Sequence, residues 1–430
     1  MNKIIALSLV LILIVLNIIT FFPVKAKART IIVPDYYSTI TAAIGNATDG
    51  DTIFVRKGLY EEHLLAINKT ITLIGEDRTN TIIKNIDILE QYDISTLWAW
   101  PSLVAVEIGA KNVKIFNFTI KHADILISVF ADGALIADNI FEPTSLGISV
   151  SSNNNTIARN SLSGIASEGF IKCSGSYNII TENSMTGQYH GAINIGGSIN
   201  IVYNNTLGFL EGGIIDVTGY GNTIAKNNLT IMGSLRIGGT GNIACGHIVG
   251  SLSTAGSDNT LIANNVLYGV YMGSTVDDAS NITFYHNNFY FLPVNVRPTG
   301  EKIFEVWSGV HGPILLDNGE EGNYWSDYKG KDMNGDGIGE TPYVIHVNDT
   351  RNYEFIAPFD ISNITITDYY PLMVPFDIDS VSVELPEFET PSFELPQSEP
   401  LPMVLIIAGS FTAAVVICAG MIVYLKKFRH

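Results

Sequence analysis

A phrase of two polar residues that enclose four mostly β-branched or apolar residues recurs through the middle of the chain. Clear copies are Asn155–Asn160, Asn178–Asn183, Asn200–Asn205, Asn222–Asn227 and Asn259–Asn264. Copies begin at residues 112, 133, 155, 178, 200, 222, 242, 259 and 281, so most spacings are close to 22 residues. Repeats of helix pairs need about 33 residues or more, and leucine-rich repeats need a Leu frame that is missing. Short β-branched runs between Gly and Asn are typical of strands with tight turns.

This period predicts an all-β fold, a right-handed parallel β-helix in which one coil of about 22 residues holds three short strands. The recurring Asn residues are expected to stack into a ladder of bonded amides, with Ile, Val and Leu inside the coil. Open ends of such a stack are exposed strand edges, so caps are expected. Ile31–Ile44 predicts a strand and a short amphipathic helix that covers the first coil. Cys173 and Cys245 fall several coils apart, which predicts free thiols in the core.

The chain ends predict secretion and anchoring. The apolar run Ile4–Phe22 followed by Ala26-Lys27-Ala28 is typical of a signal peptide, with an uncleaved anchor as the alternative. Met403–Leu425 is long enough to cross a bilayer, and the basic residues after it favour a cytoplasmic tail and an ectodomain outside the cell. The predicted segments are a signal peptide (1–28), an N-terminal cap with the first coils (29–110), β-helix repeats (111–321), a C-terminal cap (322–375), a Pro/Glu-rich linker (376–402), a transmembrane helix (403–425) and a tail (426–430).

The formal net charge of −18 argues against a nucleic-acid partner, because such proteins neutralise phosphates with Lys and Arg. An ectodomain can also carry N-glycans at Asn-x-Thr sequons. The candidate acceptors are Asn46, Asn68, Asn117, Asn154, Asn204, Asn228, Asn281, Asn348 and Asn363. Several of them belong to the repeat, in which Asn and Thr also have structural roles.

Three segments resemble NosD-like right-handed β-helix proteins, which have the pectin-lyase-like fold and carry CASH-type repeats. They are VPDYYSTITAAI with DGDTIFVRKGLYEEHLLAINKTITLIGE near the start, the coils, and GNYWSDYKGKDMNGDGIGETPYVI with DYYPLM near the end. The resemblance covers about Ile31 to Met373, and the C-terminal anchor is similar to that of archaeal surface members. It implies an accessory role in copper delivery to nitrous oxide reductase, although the family also covers surface proteins of unknown role.

The loop from Asp332 to Glu340 predicts a calcium site. Asp332, Asn334 and Asp336 provide oxygen atoms at alternate positions, Gly337 follows, and the Ile338 carbonyl and Glu340 come next, as in an EF-hand loop. Position 12 of such a loop is Tyr343 instead of a bidentate Glu. A remote carboxylate such as Asp327 would then have to complete the shell. The alternative is a solvated turn.

Copper is not expected as a cofactor. Copper sites need clustered His, Cys or Met, and the His residues of the ectodomain are scattered. His247 and His286 share a phase of the repeat but fall two coils apart, so a structural or surface role is predicted for each.

Counting along the repeat predicts a polar row flanked by aromatic residues, which would form a carbohydrate groove. The predicted partners are the membrane, through the C-terminal helix, and a polysaccharide or a cell-envelope glycan in this groove. The predicted groove residues are Glu168, Tyr189, His190, Glu211, Asp216, Arg236 and Tyr271, with Lys172 next to them. No residue is assigned a catalytic role. The preferred function is a surface-displayed β-helix that binds a polysaccharide or another envelope partner without catalysis. The alternatives are a polysaccharide lyase or glycoside hydrolase, which needs converging acids and bases, and a NosD-like accessory protein.

Overall fold

The computed structural model describes residues 28–87, 103–189, 191–208, 214–229, 233–273, 279–292, 303–306, 312–347 and 364–383. The predicted signal peptide apart from Ala28, the transmembrane segment and tail, and most of the linker lie outside these ranges. Within them, no helix is both long and apolar enough to cross a membrane.

The chain winds into a parallel β-helix of about ten turns, and three parallel sheets form its sides. Sheet 1 consists of Thr30–Val33, Thr52–Val55, Thr72–Gly75, Lys114–Phe116, Leu135–Ala137, Thr156–Ala158, Ile179–Thr181, Ile201–Tyr203, Thr223–Ala225, Ile243–Cys245, Thr260–Ile262, Ile282–Tyr285 and Ile314–Leu315. Sheet 2 consists of Leu65–Ile67, Val104–Ile108, Ile125–Val129, Leu146–Val150, Gly169–Cys173, Ile193–Ile195, Ile214–Val217, Ser234–Ile237, Ile248–Thr254, Asn265–Met272, Asn288–Phe289, Tyr324–Trp325 and Ile303–Val306. Sheet 3 consists of Gly58–Glu62, Thr81–Asn85, Thr119–Lys121, Ile140–Glu142, Ser161–Ala166, Ser184–Tyr189 and Thr206–Gly208.

Inward β-branched side chains explain why the short strands of sheet 1 stack in register. Ile136 pairs with Ile157, Ile157 with Ile180, Ile180 with Val202 and Val202 with Ile224. All five side chains are fully buried. Burying an aliphatic side chain of this size stabilises the fold by about 1.5–3 kcal/mol. This column confirms the predicted parallel β-helix.

The strands of sheet 1 are bounded by corners in which one residue has a positive φ angle. Before the strand the corner row includes Asn154 (φ 57°) and Asn281 (φ 52°), and after the strand it includes Asn204 (φ 52°) and His286 (φ 59°). Non-Gly residues with positive φ are uncommon, and Asn and Asp tolerate this conformation best. Because Thr260 pairs with Thr283, Asn281 is a corner residue and not the start of a ladder position. The predicted shared phase of His247 and His286 is therefore wrong by one residue.

Two buried ladders of side-chain amides run along the coils, one on each side of the sheet 1 strands. The first contains Asn155, Asn178, Asn200, Asn222, Asn242 and Asn259, and the second contains Asn139, Asn160, Asn183, Asn205, Asn227, His247, Asn264, Asn287 and Asn323. In a typical rung, Asn205 Oδ1 accepts from the Asn183 backbone N at 3.0 Å and from Asn183 Nδ2 at 2.9 Å. Asn205 Nδ2 donates to the Ile180 carbonyl and to Asn227 Oδ1. The amides thus satisfy the buried backbone groups at the corners, as the repeat predicts.

His247 takes an amide position in the second ladder and is fully buried. Its Nε2 accepts from Asn227 Nδ2 at 3.3 Å, and its Nδ1 lies 2.8 Å from Asn264 Oδ1. Burial lowers the pKa of the imidazole to about 4, and the hydrogen bond to Asn264 works against this shift. A neutral imidazole with the proton on Nδ1 fits both contacts. The predicted structural role of His247 is consistent with this position.

Glycine is required at one corner row on the side of sheet 2. A Cβ atom on Gly197 would overlap the carbonyl oxygen of Gly175, and one on Gly219 would overlap the carbonyl oxygen of Gly197. Successive coils therefore approach each other here more closely than any larger residue allows.

Both ends of the stack are covered. The helix Ile40–Asn46 begins after Thr39, whose Oγ1 accepts from the Ala42 backbone N at 3.1 Å, and it buries Ile40, Ala43 and Ile44 over the first coil. This confirms the predicted strand and short helix at the start. At the other end, Tyr343–Val347 and Ile364–Asp368 form an antiparallel pair. Within the coils, Gly256–Ser257 and Ala279–Ser280 form a small parallel pair, and the 3₁₀ turn Ile378–Ser380 lies beside Lys226.

The second ladder ends on Asp368, which is fully buried in the C-terminal cap. Its Oδ2 accepts from the Asn323 backbone N and from Trp325 Nε1, both at 2.8 Å, and its Oδ1 accepts from the Tyr370 backbone N. Burial raises the pKa of this carboxyl to about 6 in spite of these bonds. Both oxygens of the Asp368 carboxylate accept hydrogen bonds. A carboxylate therefore suits the end of the ladder, where the neighbouring groups Asn323 N and Trp325 Nε1 are donors.

The first residues of the predicted linker pack against the coils. Phe376 stacks on His286 with 4.1 Å between ring centroids, and its backbone forms two hydrogen bonds with the Asn288 side chain. Lys226 Nζ donates to the Asp379 carbonyl at 3.1 Å. The compact unit therefore includes this segment.

Candidate functional site

The strands of sheet 2 align their outward positions in one long row, and we call the seven successive positions from Ser149 to Tyr271 the outer column. Its members are Ser149, Lys172, Asn194, Asp216, Arg236, Ser253 and Tyr271, which are register partners on successive coils. Side chains alternate between the two faces of a strand. Ile171 and Cys173, on either side of Lys172, are buried in the core, so Lys172 points outward.

The centre of the outer column carries two cations with an amide and a carboxylate between them. Adjacent strands lie about 4.8 Å apart, so Lys172 and Arg236 are separated by three rungs, or about 14 Å at the backbone. Both cations are exposed, whereas Asn194 and Asp216 are half-buried between them. Asn194 Nδ2 also donates to the Glu168 carbonyl at 3.4 Å. The row thus presents a cation, an amide, a carboxylate and a second cation on four successive coils.

The position of Asp216 in the fold changes the ionisation of its carboxyl group. Burial raises the pKa of its carboxyl above the ordinary value, and the neighbouring charge of Arg236 works against that shift. A carboxylate that is more basic than usual is better suited to take a proton. The position between two cations also keeps it within reach of a ligand that those cations hold.

The structure brings together three of the predicted groove residues and separates one. Asp216, Arg236 and Tyr271 belong to the outer column. Glu168 lies in the turn before the strand Gly169–Cys173, off the row. Tyr189 pairs with Ala166 through its backbone, while its side chain, His190 and Glu211 lie outside the described residues.

The groove residues predicted by counting from the start of each repeat do not include Asn194, and Lys172 is predicted only as a neighbour. The reason is that the coils differ in length. Asn155 and Lys172 are 17 residues apart in the sequence, whereas Asn242 and Ser253, at the same two places of a later coil, are 11 apart. The earlier coil has the sheet 3 strand Ser161–Ala166 between these two places, whereas the later coil goes from Ile243–Cys245 directly to the sheet 2 strand Ile248–Thr254. The signal that could have found the row is the inward-outward alternation within each sheet 2 strand.

The predicted calcium loop is compact and its oxygens are held by local backbone amides. Asp332 accepts from the Gly335 and Gly337 backbone N atoms, at 2.6 and 2.9 Å, and these bonds hold the pKa of its carboxyl below the usual value. Glu340 Oε1 accepts from the Met333 backbone N at 2.7 Å. The oxygen donor set is of the kind that calcium takes.

Two observations bear on whether this loop has a complete shell. One oxygen of Asp327, the suggested remote ligand, accepts from the Tyr343 hydroxyl at 2.8 Å. Among the described residues, no three His, Cys, Asp or Glu side chains are grouped so that they could hold a metal ion. Calcium binding by Asp332, Asn334, Asp336, Ile338 and Glu340 therefore stays a prediction.

The two cysteines of the coils are both free and buried, as the repeat predicts. Burial raises the pKa of each thiol to about 11. Neither is therefore an activated nucleophile, since the thiolate is the reactive form.

Likenesses to known proteins are found among solved structures. No family model and no curated protein matches the chain. Similar solved structures include a PL6 family polysaccharide lyase from Pseudopedobacter saltans, with 12% identity, a TM-score of 0.46 and coverage of 69% of this chain and 82% of that one. An alginate lyase from Paenibacillus has 17% identity, a TM-score of 0.40 and coverage of 66% and 99%. A pectin methylesterase from carrot has 12% identity, a TM-score of 0.36 and coverage of 66% and 90%. These identities and TM-scores are too low to assign a family or an activity to this chain.

Proposed function

We propose that the chain is a carbohydrate-active protein that binds an anionic polysaccharide along the outer column and cleaves it by β-elimination. The observation that carries this proposal is the register of Lys172, Asn194, Asp216 and Arg236 on four successive coils. Lys and Arg recognise carboxylates, and Arg does so with two parallel hydrogen bonds. A uronic acid polymer presents a carboxylate on each acidic sugar, so a row with two cations fits its repeating charge.

The proposed reaction needs three things from the column. Arg236 neutralises the carboxylate of the sugar at the cleavage point, which makes the adjacent C–H more acidic. Asp216, one rung away, takes that proton. The C–O bond to the next sugar breaks as a C=C bond forms, and the leaving oxygen takes a proton from water. Lys172 holds a carboxylate further along the same polymer.

A hydrolase with two carboxylates fits the column less well. Glycosidases place their two carboxyl groups about 5 to 9.5 Å apart. Asp216 has Asn194 and Arg236 on its adjacent rungs, and Glu107 lies five rungs away, or about 24 Å. Among the column residues that are described with their side chains, β-elimination is therefore the better-supported cleavage chemistry.

The test is to incubate the full chain with pectate, alginate and a neutral xylan, and to follow the ultraviolet absorbance of unsaturated ends together with product size. We expect cleavage of an acidic polymer and none of xylan. Arg236→Ala and Asp216→Asn should each reduce kcat/KM by about 100-fold or more, since each removes a group that acts in the transition state. Lys172→Ala should mainly raise KM.

Lys114→Ala is the matched control, because it removes a cation from a strand of sheet 1 and leaves the outer column unchanged. It should cleave like the wild type, and all four variants should keep the thermal stability of the wild type. Binding of the acidic polymer without any cleavage would refute the catalytic step and favour a surface-displayed polysaccharide binder, the second candidate. Neither binding nor cleavage of any polymer would refute both. Copper delivery, which the sequence resemblance implies, stays a prediction without a site among the described residues.

A further inference from the structure

Two sequon asparagines occupy corners of the coils, next to a ladder residue but separate from it. Asn154 precedes Asn155 and Asn204 precedes Asn205. The ladder residues Asn155 and Asn205 are fully buried, and their amides are used by neighbouring coils. Asn154 and Asn204 are exposed. The repeat therefore contains two kinds of Asn, and the sequon acceptor is the kind that the core does not use.

The fold does not require Asn at these corners. Tyr177 and Ile199 have the same positive φ as Asn154 in the same corner row, and Arg159 and Lys226 occupy the row of Asn204. Within the described structure, the side-chain amides of Asn154 and Asn204 form no hydrogen bond. The threonines of both sequons, Thr156 and Thr206, lie at the first position of a strand directly after the corner. A sugar on either amide would project into solvent and would break no contact.

We propose that Asn154 and Asn204 carry N-linked glycans, and that the outer column is kept free of them. The first part requires the chain to be secreted, as its N-terminal sequence predicts, and is independent of the proposed function. The second part rests on the proposed function. None of the seven sequon asparagines that are described lies in the outer column. A polymer-binding face has to stay open, whereas the corners beside sheet 1 do not.

The outer column itself offers a way to test the second part. Gly196 follows two residues after Asn194, so Gly196→Thr creates a sequon at Asn194. A Cβ on Gly196 would meet only Thr218 Oγ1, at 3.9 Å, which is ordinary van der Waals contact. The change is therefore compatible with the coil. Gly196→Val is the matched control, since it has nearly the same shape and creates no sequon.

The experiment purifies the full chain from its own cells and analyses intact glycopeptides by mass spectrometry. We expect a glycan mass on the peptides of Asn154 and Asn204, which Asn154→Asp and Asn204→Asp abolish one at a time. Asp tolerates the same corner conformation, so folding should be unchanged. Unmodified Asn154 and Asn204 in the wild-type chain would overturn the proposal.

For the column, binding of the acidic polymer is measured with Gly196→Thr and Gly196→Val. We expect a glycan on Asn194 in the first variant and at least a tenfold weaker binding, while the second variant binds like the wild type. Glycans at both corners together with unaltered binding by glycosylated Gly196→Thr would refute the role of the column but leave the corner sites intact. A Gly196→Thr chain without sugar on Asn194 would refute the idea that missing sequons keep this face open.

Discussion

The interior ladders and the outer column lie on the same coils, yet they constrain the sequence in opposite ways. In a ladder, each amide must accept from one buried N–H and donate to a carbonyl and to the next rung, as Asn205 does. Few side chains other than Asn can meet that demand, so the residue recurs. In the outer column, the side chains point outward and no such bonding demand recurs from coil to coil, so Lys, Asn, Asp and Arg follow one another. Recurrence therefore marks the fold, and variation at a fixed register marks the surface that is free to acquire a function.

The largest effect on stability is expected when Asn205→Ala is compared with Asn204→Gly, which change two adjacent residues of one coil. Asn205→Ala leaves the buried Asn183 backbone N without its acceptor and removes the amide bonds to the Ile180 carbonyl and to Asn227 Oδ1, although Asn227 Oδ1 still accepts from the backbone N of residue 205. The unsatisfied N–H costs about 1–3 kcal/mol and each lost hydrogen bond about 0.5–1.5 kcal/mol, so we expect a loss of about 3 kcal/mol or more. Asn204→Gly should change stability by less than about 1 kcal/mol, because Gly accepts a positive φ. Chemical denaturation of both variants checks this, and equal losses would contradict a special role for the ladder.

An intermediate effect is expected at His247, the one imidazole in the second ladder. Its folded pKa of about 4 lies below the unfolded value of 6.5. The unfolded chain therefore gains a proton first as the pH falls, and the native state loses stability between about pH 6.5 and 4. The loss is on the order of 3 kcal/mol. His247→Asn restores the amide of the other rungs and should remove this part of the pH dependence.

The measurement is the free energy of unfolding at pH 7, 5.5 and 4.5 for the wild type and His247→Asn. The difference between the two chains matters, because Asp368 titrates in both. Its raised pKa of about 6 makes the native state relatively more stable as the pH falls, which is the opposite sign. A constant difference between the two chains at all three pH values would show that His247 is not held neutral by the ladder.

The smallest effect is expected outside the coils, at the loop with Asp332, Asn334 and Asp336. If the loop takes calcium, the native state gains stability by mass action, and we expect a rise in Tm of about 1–3 °C over the chelator-treated chain. Asp336→Asn should remove that rise and leave the Tm in chelator unchanged, since Asn keeps the acceptor for the Ile338 backbone N. A rise of equal size in the variant would contradict calcium binding at this loop.

The sequence predicts those parts of the fold in which the same hydrogen bonds recur in every coil. It does not predict the register of positions that depends on how long each coil is. The coil period, the covering helix Ile40–Asn46 and the free thiols of Cys173 and Cys245 follow from the pattern. The register at Asn281 does not follow from the pattern, because the sequence alone does not distinguish an Asn at a corner from an Asn in a ladder. The outer column is not found either, since a count from the ladder drifts where the later coils lack the sheet 3 strand of the earlier ones.

The two ladders also give the molecule a modular length. In the second ladder, each rung accepts from the coil before it and donates to the coil after it, and the ladder ends on Asp368. Removal of residues 178–199 would bring Asn200 under Asn155 and Asn205 under Asn160 with all bonds of the same kind. It would also delete Asn194 and set Lys172 beside Asp216. Gain or loss of whole coils can thus rewrite the order of surface side chains in one step, while the core that carries them stays continuous.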